Sequence, residues 1–240
     1  KISLKQFLMK SGRFEKVYDC LQSIRSGKVS INNKITTNPN YFFNPKKAVV
    51  KFDNEKIKKA SSLCFIMNKP AGYLSQKSEN EKTIYDLLEK LNLPKHHVKS
   101  LSAVGRLDKE SEGLLLITND GKLSNLIMSP KNKIIKKYYA VLEDVIDINK
   151  IKLLEKGIQI DVEHEKYKTK PCRIKVIGEK EVYISISEGK KRQIRKMFDT
   201  IYNKIVYLRR VSIGGLQLGN LKAGEIKRAT KDEILEKLKF

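Results

Sequence analysis

The chain has 240 residues, 40% of them hydrophobic, which is enough for one folded catalytic domain and a small appended domain. Fifty Lys and Arg against 27 Asp and Glu give a net charge of +23, which predicts a polyanionic partner, with nucleic acid favoured over a membrane surface. The absence of any apolar run of about 18 residues excludes a membrane-spanning helix. Three distant cysteines without a Cys-x-x-Cys pair argue against a disulfide scaffold or zinc site and predict a cytoplasmic location.

The first 59 residues are the most basic part of the chain, with fourteen Lys and Arg against four Asp and Glu. Ser3 is suited to cap a first helix, and Asn32-Asn33 predicts a tight hairpin turn. The elements predicted here are helices over 3–9 and 17–24, paired strands over 28–31 and 34–36, and a strand over 49–52. They predict a small folding unit, followed by a linker over 56–62.

The rest of the chain mixes strands and helices without a regular strand–helix–strand repeat. This order favours an α+β fold over a doubly wound parallel sheet. Strands are predicted over 64–67, 114–118, 138–142, 182–186 and 211–221, and helices over 83–91, 122–128, 151–156, 192–202 and 231–238.

The segment Gly105-Arg106-Leu107-Asp108 places a carboxylate on a loop directly before the predicted strand 114–118. Catalytic groups tend to lie on loops held by rigid elements, and Arg106 is close enough to offset the charge of Asp108 or to bind a phosphate. The alternative is a polar loop whose aspartate caps backbone donors. From these residues alone, the alternative is favoured.

A larger set of motifs is similar to the pseudouridine synthases of the RsuA family. The motifs occupy residues 68–72, 105–121, 137–139, 188–198, 213–219 and 224–230. Residues 24–34 and the strand ending near Phe52 resemble the S-four RNA-binding domain, which that family carries before its catalytic domain. The resemblance implies a small S-four-like α/β RNA-binding domain over 1–59 and a mixed-sheet catalytic domain over 60–240, α+β overall.

The resemblance also implies roles for single residues. Asp108 matches the catalytic aspartate, and Arg195 the basic residue that pairs with it. Only one of two adjacent strand tyrosines can face a cleft, and the Lys-x-Tyr motif selects Tyr139 as the ring against the target base. Lys69 matches a motif that supports the active-site loop. The residues expected to contact RNA are Arg106, Ile194, Lys191, Arg192, Lys69, Arg13, Arg25 and Lys28.

The implied function is the isomerisation of uridine to pseudouridine in ribosomal RNA, with small-subunit rRNA favoured. This chemistry needs no cofactor and no metal, and we expect an RNA partner, no membrane and a monomer. The alternative is a catalytically inactive RNA-binding ribosome-assembly factor, against which the intact Asp108, Tyr139 and Arg195 argue. The three histidines, His96, His97 and His164, lack the spacing of a triad or metal site.

Overall fold

The computed structural model of the protein describes residues 1–14, 16–57 and 62–238, except for the side chain of His96. Backbone contacts divide the chain into two units, residues 1–62 with 85–102 and residues 63–84 with 103–240. The sequence boundary at residue 59 did not anticipate the grouping of 85–102 with the first unit, because that grouping depends on proximity in space. Of the predicted linker, residues 58–61 lie outside the described residues. No helix in the described ranges is long and apolar enough to cross a membrane.

The first unit consists of short elements. Its strands are β1 (Ile2–Ser3), β2 (Val29–Ile31), β3 (Lys34–Ile35), β4 (Phe42–Phe43), β5 (Val50–Phe52) and β6 (Glu55–Lys56). Its helices are α1 (Leu4–Lys10), α2 (Val17–Arg25), α3 (Ile84–Leu88), which belongs to this unit from Tyr85 on, and α4 (Lys95–Ser100), with a 3-10 turn (Glu89–Leu91) after α3. The strands form a sheet in the order β3-β2-β5-β6 and a separate pair β1-β4.

Local sequence signals explain these elements. Ser3 caps α1 as predicted: its Oγ accepts a hydrogen bond from the Gln6 amide at 3.3 Å, and the Gln6 side chain accepts one from the Ser3 amide at 3.5 Å. Asn32 and Asn33 have φ angles of 50° and 66°, which confirms the tight turn between β2 and β3. The core consists of Leu4, Phe7, Leu8, Cys20, Ile24, Val29, Ile31, Phe43 and Val50.

The second unit contains a large sheet with helices packed on it. Its strands are β7 (Cys64–Lys69), β8 (Ser102–Val104), β9 (Glu112–Thr118), β10 (Lys136–Leu142), β11 (Gln159–Val162), β12 (Glu165–Lys168), β13 (Arg173–Val176), β14 (Glu181–Ile186), β15 (Ile205–Ile213), β16 (Leu216–Gln217) and β17 (Ile226–Ala229). Its helices are α5 (Gly121–Met128), α6 (Ile148–Lys156), α7 (Gln193–Asp199) and α8 (Lys231–Leu238), with a 3-10 turn (Pro130–Asn132) after α5.

The main sheet has the strand order β13-β14-β10-β15-β9-β7-β17, with β16 beside β15 and β8 beside β9. Strands β9 and β15 run parallel, whereas the other neighbours along this order for which a register is defined run antiparallel, so the predicted mixed sheet is confirmed. The parallel pair meets where Gly113 lies opposite Arg210. Gly113 has φ +108°, and a Cβ atom there would lie 2.2 Å from the Arg210 carbonyl oxygen, so this close approach requires glycine.

Several predicted boundaries differ from the structure. Strand β15 begins at Ile205, well before the predicted start at 211, because the interruption by two arginines hid its alternation. Helix α7 is shorter than the predicted 192–202, since Arg192 has a left-handed φ of 54° and stands outside it. The hairpin β11-β12 and the strands β13 and β17 were not predicted.

Candidate active site

An open cleft of about 290 Å³ lies in the second unit, beside the loop that precedes β9. It is lined by residues 105–108, Ser111, Tyr138 on β10, residues 189–195 around the start of α7, and Leu208 on β15. The loop, two central strands and one helix therefore contribute to a single concave surface. A pocket where polar and apolar groups converge is the usual place for a reacting substrate.

The cleft brings together most of the predicted second-unit residues, although they are far apart in sequence. Those that line it are Arg106, Asp108, Lys191, Arg192, Ile194 and Arg195. Two predicted residues, Tyr139 and Lys69, lie elsewhere.

The loop carrying Asp108 is hydrogen-bonded to the segment that follows β7. The Ser75 hydroxyl donates a hydrogen bond to the Leu107 carbonyl at 2.8 Å and accepts one from the Leu107 amide at 3.0 Å. The Gly72 amide donates to the Lys109 carbonyl at 2.8 Å. Asp108 thus lies between two residues whose backbone positions are fixed, which orients its carboxylate toward the cleft before any substrate arrives.

Lys69 is the strongest anchor of this loop. Its side chain is 0% exposed, and its Nζ donates to three backbone carbonyls, those of Pro70 at 3.0 Å, Lys109 at 3.2 Å and Ser111 at 2.8 Å. Burial lowers the pKa of Lys69 to about 8, while Glu112 and Asp108 act in the opposite direction. The prediction that Lys69 contacts RNA is wrong, because the ammonium is inside the protein. The supporting role implied by its motif agrees with these contacts.

Arg195 and Asp108 share the cleft without touching. No cation lies within 4.0 Å of the Asp108 carboxylate among the residues described. Arg195 instead donates from Nη1 to the Ile205 carbonyl at 2.9 Å and from Nη2 to the Ser111 hydroxyl at 3.5 Å, and its buried Nε has no partner in the described part. Burial and Arg192 lower the pKa of Arg195, whereas Glu110 and Asp108 raise it. The predicted direct pairing is therefore not seen among the described residues, and Asp108 influences Arg195 only electrostatically.

The tyrosine in the cleft is Tyr138, and the prediction of Tyr139 is wrong. Tyr138 is buried and lines the cleft. Tyr139 points to the opposite face of the sheet, where its ring centroid lies 5.8 Å from that of Tyr183 and 6.0 Å from that of Tyr207. Because side chains alternate along a strand, a shift of one residue moves a ring to the other face.

The rim of the cleft carries exposed cations. Arg192 Nη1 lies 3.0 Å from the Glu110 carboxylate, and Lys191 Nζ lies 3.6 Å from Glu163. Arg106 donates to the Gln76 side chain at 3.4 Å. Such exposed contacts are worth about 1 kcal/mol or less, so a phosphate can replace the acidic partners. Ile194, by contrast, is buried and contributes an apolar wall.

The three predicted RNA contacts of the first unit are all exposed basic residues, namely Arg13, Arg25 and Lys28. Arg13 Nη2 lies 3.1 Å from the Glu55 carboxylate, and its guanidinium carbon lies 5.2 Å from the centroid of the Phe52 ring. All three side chains are reachable by a nucleic acid on the surface of this unit.

Other groups with possible chemistry lie outside the cleft. All three cysteines are free, and burial raises the pKa of Cys20 to about 11 and that of Cys172 to about 12, so both stay as thiols at neutral pH. His164 lies in the turn between β11 and β12. Within the described ranges, no cluster of His, Cys, Asp and Glu side chains could hold a metal ion.

Sequence reasoning missed Tyr138, Ser111, Ser75 and Leu208. For Tyr138 a signal was present, since Ala140 and Leu142 share its parity on β10 and are apolar, which marks the buried face. No signal in the sequence singles out Ser75 or Ser111, because serines are common in polar loops.

The chain is similar to known proteins over most of its length. Residues 63–200 match the family model for RNA pseudouridylate synthase. The chain is 33% identical to ribosomal small subunit pseudouridine synthase A of Escherichia coli (strain K12), over 89% of this chain and 90% of that protein. It is also 33% identical to an uncharacterized RNA pseudouridine synthase, YtzG, of Bacillus subtilis (strain 168), over 88% of each chain. A crystal structure of a pseudouridylate synthase superimposes with a TM-score of 0.68 and 30% identity over 99% of this chain and 100% of the other. The family model covers more than half of the chain, and the relatives are 33% identical over most of both chains, so the chain belongs to the RNA pseudouridylate synthase family.

Proposed function

We propose that this protein isomerises uridine to pseudouridine in ribosomal RNA, with small-subunit rRNA as its substrate. The observation that carries the proposal is the carboxylate of Asp108, held on an anchored loop in a cleft with Tyr138 and Arg195. The similarity to ribosomal small subunit pseudouridine synthase A supports the choice of RNA.

The residues of the cleft suit the reaction. The bond between the sugar C1′ and ring N1 breaks, the uracil turns, and C1′ bonds to C5; the hydrogen leaves C5 and N1 gains one, so no electrons are exchanged with a cofactor. The base must first leave its stack, which costs a few kcal/mol. Stacking on Tyr138 recovers about 1–3 kcal/mol of this. Asp108 is the group placed to act as nucleophile or base.

Arg195 provides the positive charge near Asp108 in this proposal. It contributes positive charge to the side of the cleft where Asp108 lies, and its Nε keeps a donor that no described residue uses. A positive charge within a partly desolvated site favours a nearby carboxylate in its charged form. Ile194 and Leu208 exclude water around the base.

The N-terminal residues 1–59 are proposed to act as an S-four-like RNA-binding domain. Arg13, Arg25 and Lys28 are exposed there and provide sequence-independent contacts to phosphates. The protein is proposed to act as a cytoplasmic monomer on RNA. Sedimentation of the free protein at several concentrations tests the monomer, and a mass that rises with concentration would contradict it.

The function is tested with Asp108→Asn. Small-subunit rRNA transcribed in vitro is incubated with each protein, and pseudouridine is mapped by carbodiimide modification. The wild type should modify a defined uridine, while Asp108→Asn should form no pseudouridine and bind the same RNA with unchanged affinity. Full turnover by the variant would refute the role of Asp108. A wild type that binds the RNA yet modifies no uridine would favour the inactive assembly factor.

A further inference from the structure

A second cavity, of about 300 Å³, adjoins the active-site cleft. Gly105, Arg106, Met128 and Tyr138 line both spaces, so the Tyr138 ring forms part of a common wall. The proposed reaction uses only the side of this wall that faces Asp108. The second cavity is also lined by residues that do not line the cleft and to which the proposed reaction gives no role, among them Lys136, Lys170 and Arg210.

Arg210 is the most unusual residue of the second cavity. It is 2% exposed, and its Nε donates to the Leu114 carbonyl at 2.7 Å. Its Nη2 is buried and has no hydrogen-bond partner in the described part of the chain, and no carboxylate there pairs with it. A buried guanidinium with unused donors is costly unless an acceptor joins it in some state of the protein.

Lys136 adds a second cation to the same cavity. It lies on β10 two residues before Tyr138, and therefore on the same face of the sheet. No hydrogen bond or ion pair of its ammonium is found among the described residues, and the side chain is half-buried. Burial and Arg210 lower the pKa of Lys136, and Glu188 raises it. Two cations thus share a confined space in which their charges disfavour each other.

The single carboxylate of the cavity is already occupied. Glu188 accepts hydrogen bonds from the Tyr167 hydroxyl at 2.6 Å, the Gln193 side chain at 2.6 Å and the Lys170 amide at 2.9 Å. These contacts fix the wall of the cavity and leave Glu188 little capacity for the cations. The cavity is therefore lined by one engaged carboxylate and five basic side chains, which are Arg106, Lys136, Lys170, Lys190 and Arg210.

We infer that this cavity is a subsite for a phosphate of the RNA backbone next to the target nucleotide, held by Arg210, Lys136 and Lys170. A phosphate supplies the acceptors that a planar guanidinium and ammonium groups lack here. Because Tyr138 lines both spaces, we place this phosphate next to the flipped base. The inference rests on the proposed function for the identity of the RNA, but the binding of an anion does not depend on catalysis.

The first experiment uses inorganic phosphate as the probe and the full chain labelled with 15N. The Nε–Hε signal of Arg210, which is assigned by its absence from Arg210→Lys, is followed during titration with phosphate and, separately, with chloride at equal ionic strength. We expect a saturable shift of this signal with phosphate and none with chloride. In Lys136→Gln the apparent affinity for phosphate should be lower than in the wild type by about fivefold or more. The exposed Lys170→Gln should show the same weakening without any risk to folding.

Lys175→Gln is the matched control. Lys175 is an exposed lysine of β13 that pairs with Tyr183 of β14, and its side chain lies on the face of the sheet away from the cavity. It should titrate like the wild type. The inference is overturned if phosphate and chloride give the same response, or if Lys170→Gln and Lys136→Gln both bind phosphate as the wild type does.

The second experiment uses RNA in which one phosphate flanking the modified uridine is replaced by a neutral methylphosphonate. Substitution at one of the two flanking positions should raise KM about tenfold for the wild type, with little change in kcat, and should have no further effect in Lys170→Gln. If the methylphosphonate raises KM in Lys170→Gln by the same factor as in the wild type, at both flanking positions, the inference is overturned. If the wild type forms no pseudouridine in any RNA, the proposed function fails, while the phosphate titration still decides the subsite.

Discussion

The buried ammonium of Lys69 allows a sharp test of how the loop carrying Asp108 is held. Lys69→Met keeps the side chain unbranched and of similar bulk, and it removes the donor to the carbonyls of Pro70, Lys109 and Ser111. The cleft walls and Asp108 itself are unchanged.

Two opposing terms decide the stability of this variant. A pKa lowered from 10.5 to about 8 corresponds to about 3 kcal/mol for keeping the ammonium charged at neutral pH, and Met removes this cost. Of the three carbonyls, that of Lys109 keeps the Gly72 amide as donor, and Pro70 is only partly buried. Ser111 is 1% exposed, so its carbonyl is left unsatisfied at about 1–3 kcal/mol. The free energy of unfolding should therefore change by less than about 2 kcal/mol.

Activity should respond far more strongly than stability. Without Lys69, the backbone on the C-terminal side of Asp108 loses its anchor at Ser111 and one of two at Lys109. A displacement of the carboxylate by about 1 Å is enough to lower kcat about 100-fold. KM should change less, because the RNA contacts of the rim are preserved.

The assay combines steady-state pseudouridine formation on small-subunit rRNA, at RNA concentrations below and above KM, with thermal unfolding of the same samples. Lys152→Met, at an exposed position of α6, controls for the loss of one lysine. A kcat within about threefold of the wild type, together with unchanged unfolding, would refute the anchoring argument. A fall in the free energy of unfolding by more than about 4 kcal/mol would refute the argument that the removed cost of the buried charge offsets the unsatisfied Ser111 carbonyl.

Three further predictions follow from the same geometry. Tyr138→Leu should lower kcat/KM about 5- to 150-fold through lost stacking while Tyr139→Leu stays within about threefold, and equal effects in this assay would contradict the assignment of faces. Gly113→Ala should lower the free energy of unfolding in urea by about 3 kcal/mol or more, because its Cβ meets the β15 backbone, whereas Gly178→Ala, with ordinary contacts, should cost under about 1 kcal/mol; similar values would contradict the close approach. Activity should fall as pH rises through about 8 with the loss of the Lys69 proton. Over the same window, from about 8 to 10.5, the unfolded chain binds more protons than the folded one, so the Lys69 contribution to stability rises with pH, and that rise should vanish in Lys69→Met.

The sequence was most informative where chemistry and local structure coincide. The loop before β9 was predicted because an apolar run follows Asp108, and a helix was predicted over 192–202, where α7 is found. The family motifs then selected Asp108 and Arg195 from many charged residues. No periodicity argument could have done so, since acidic loop residues are common.

What the sequence could not supply depends on contacts between distant segments. The burial of Lys69 follows from the packing of β7 against β9, and a lysine at the end of an apolar strand ordinarily points to solvent. Arg210 lies in a strand whose two adjacent arginines resemble a basic surface, yet one of them is inside. The choice between Tyr138 and Tyr139 required the parity of the strand, which a one-residue shift in motif alignment reverses.

The ion pair between Glu110 and Arg192 joins the loop before β9 to the start of α7 across the rim of the cleft. Added salt weakens this exposed bridge, but it also weakens the attraction of RNA to the basic surface. The exposed pair is worth about 1 kcal/mol or less, whereas salt weakens every phosphate contact, so we expect turnover at limiting RNA to fall steadily as ionic strength rises. A phosphate of the RNA can replace Glu110 as the partner of Arg192, so we expect this ion pair to break when RNA binds.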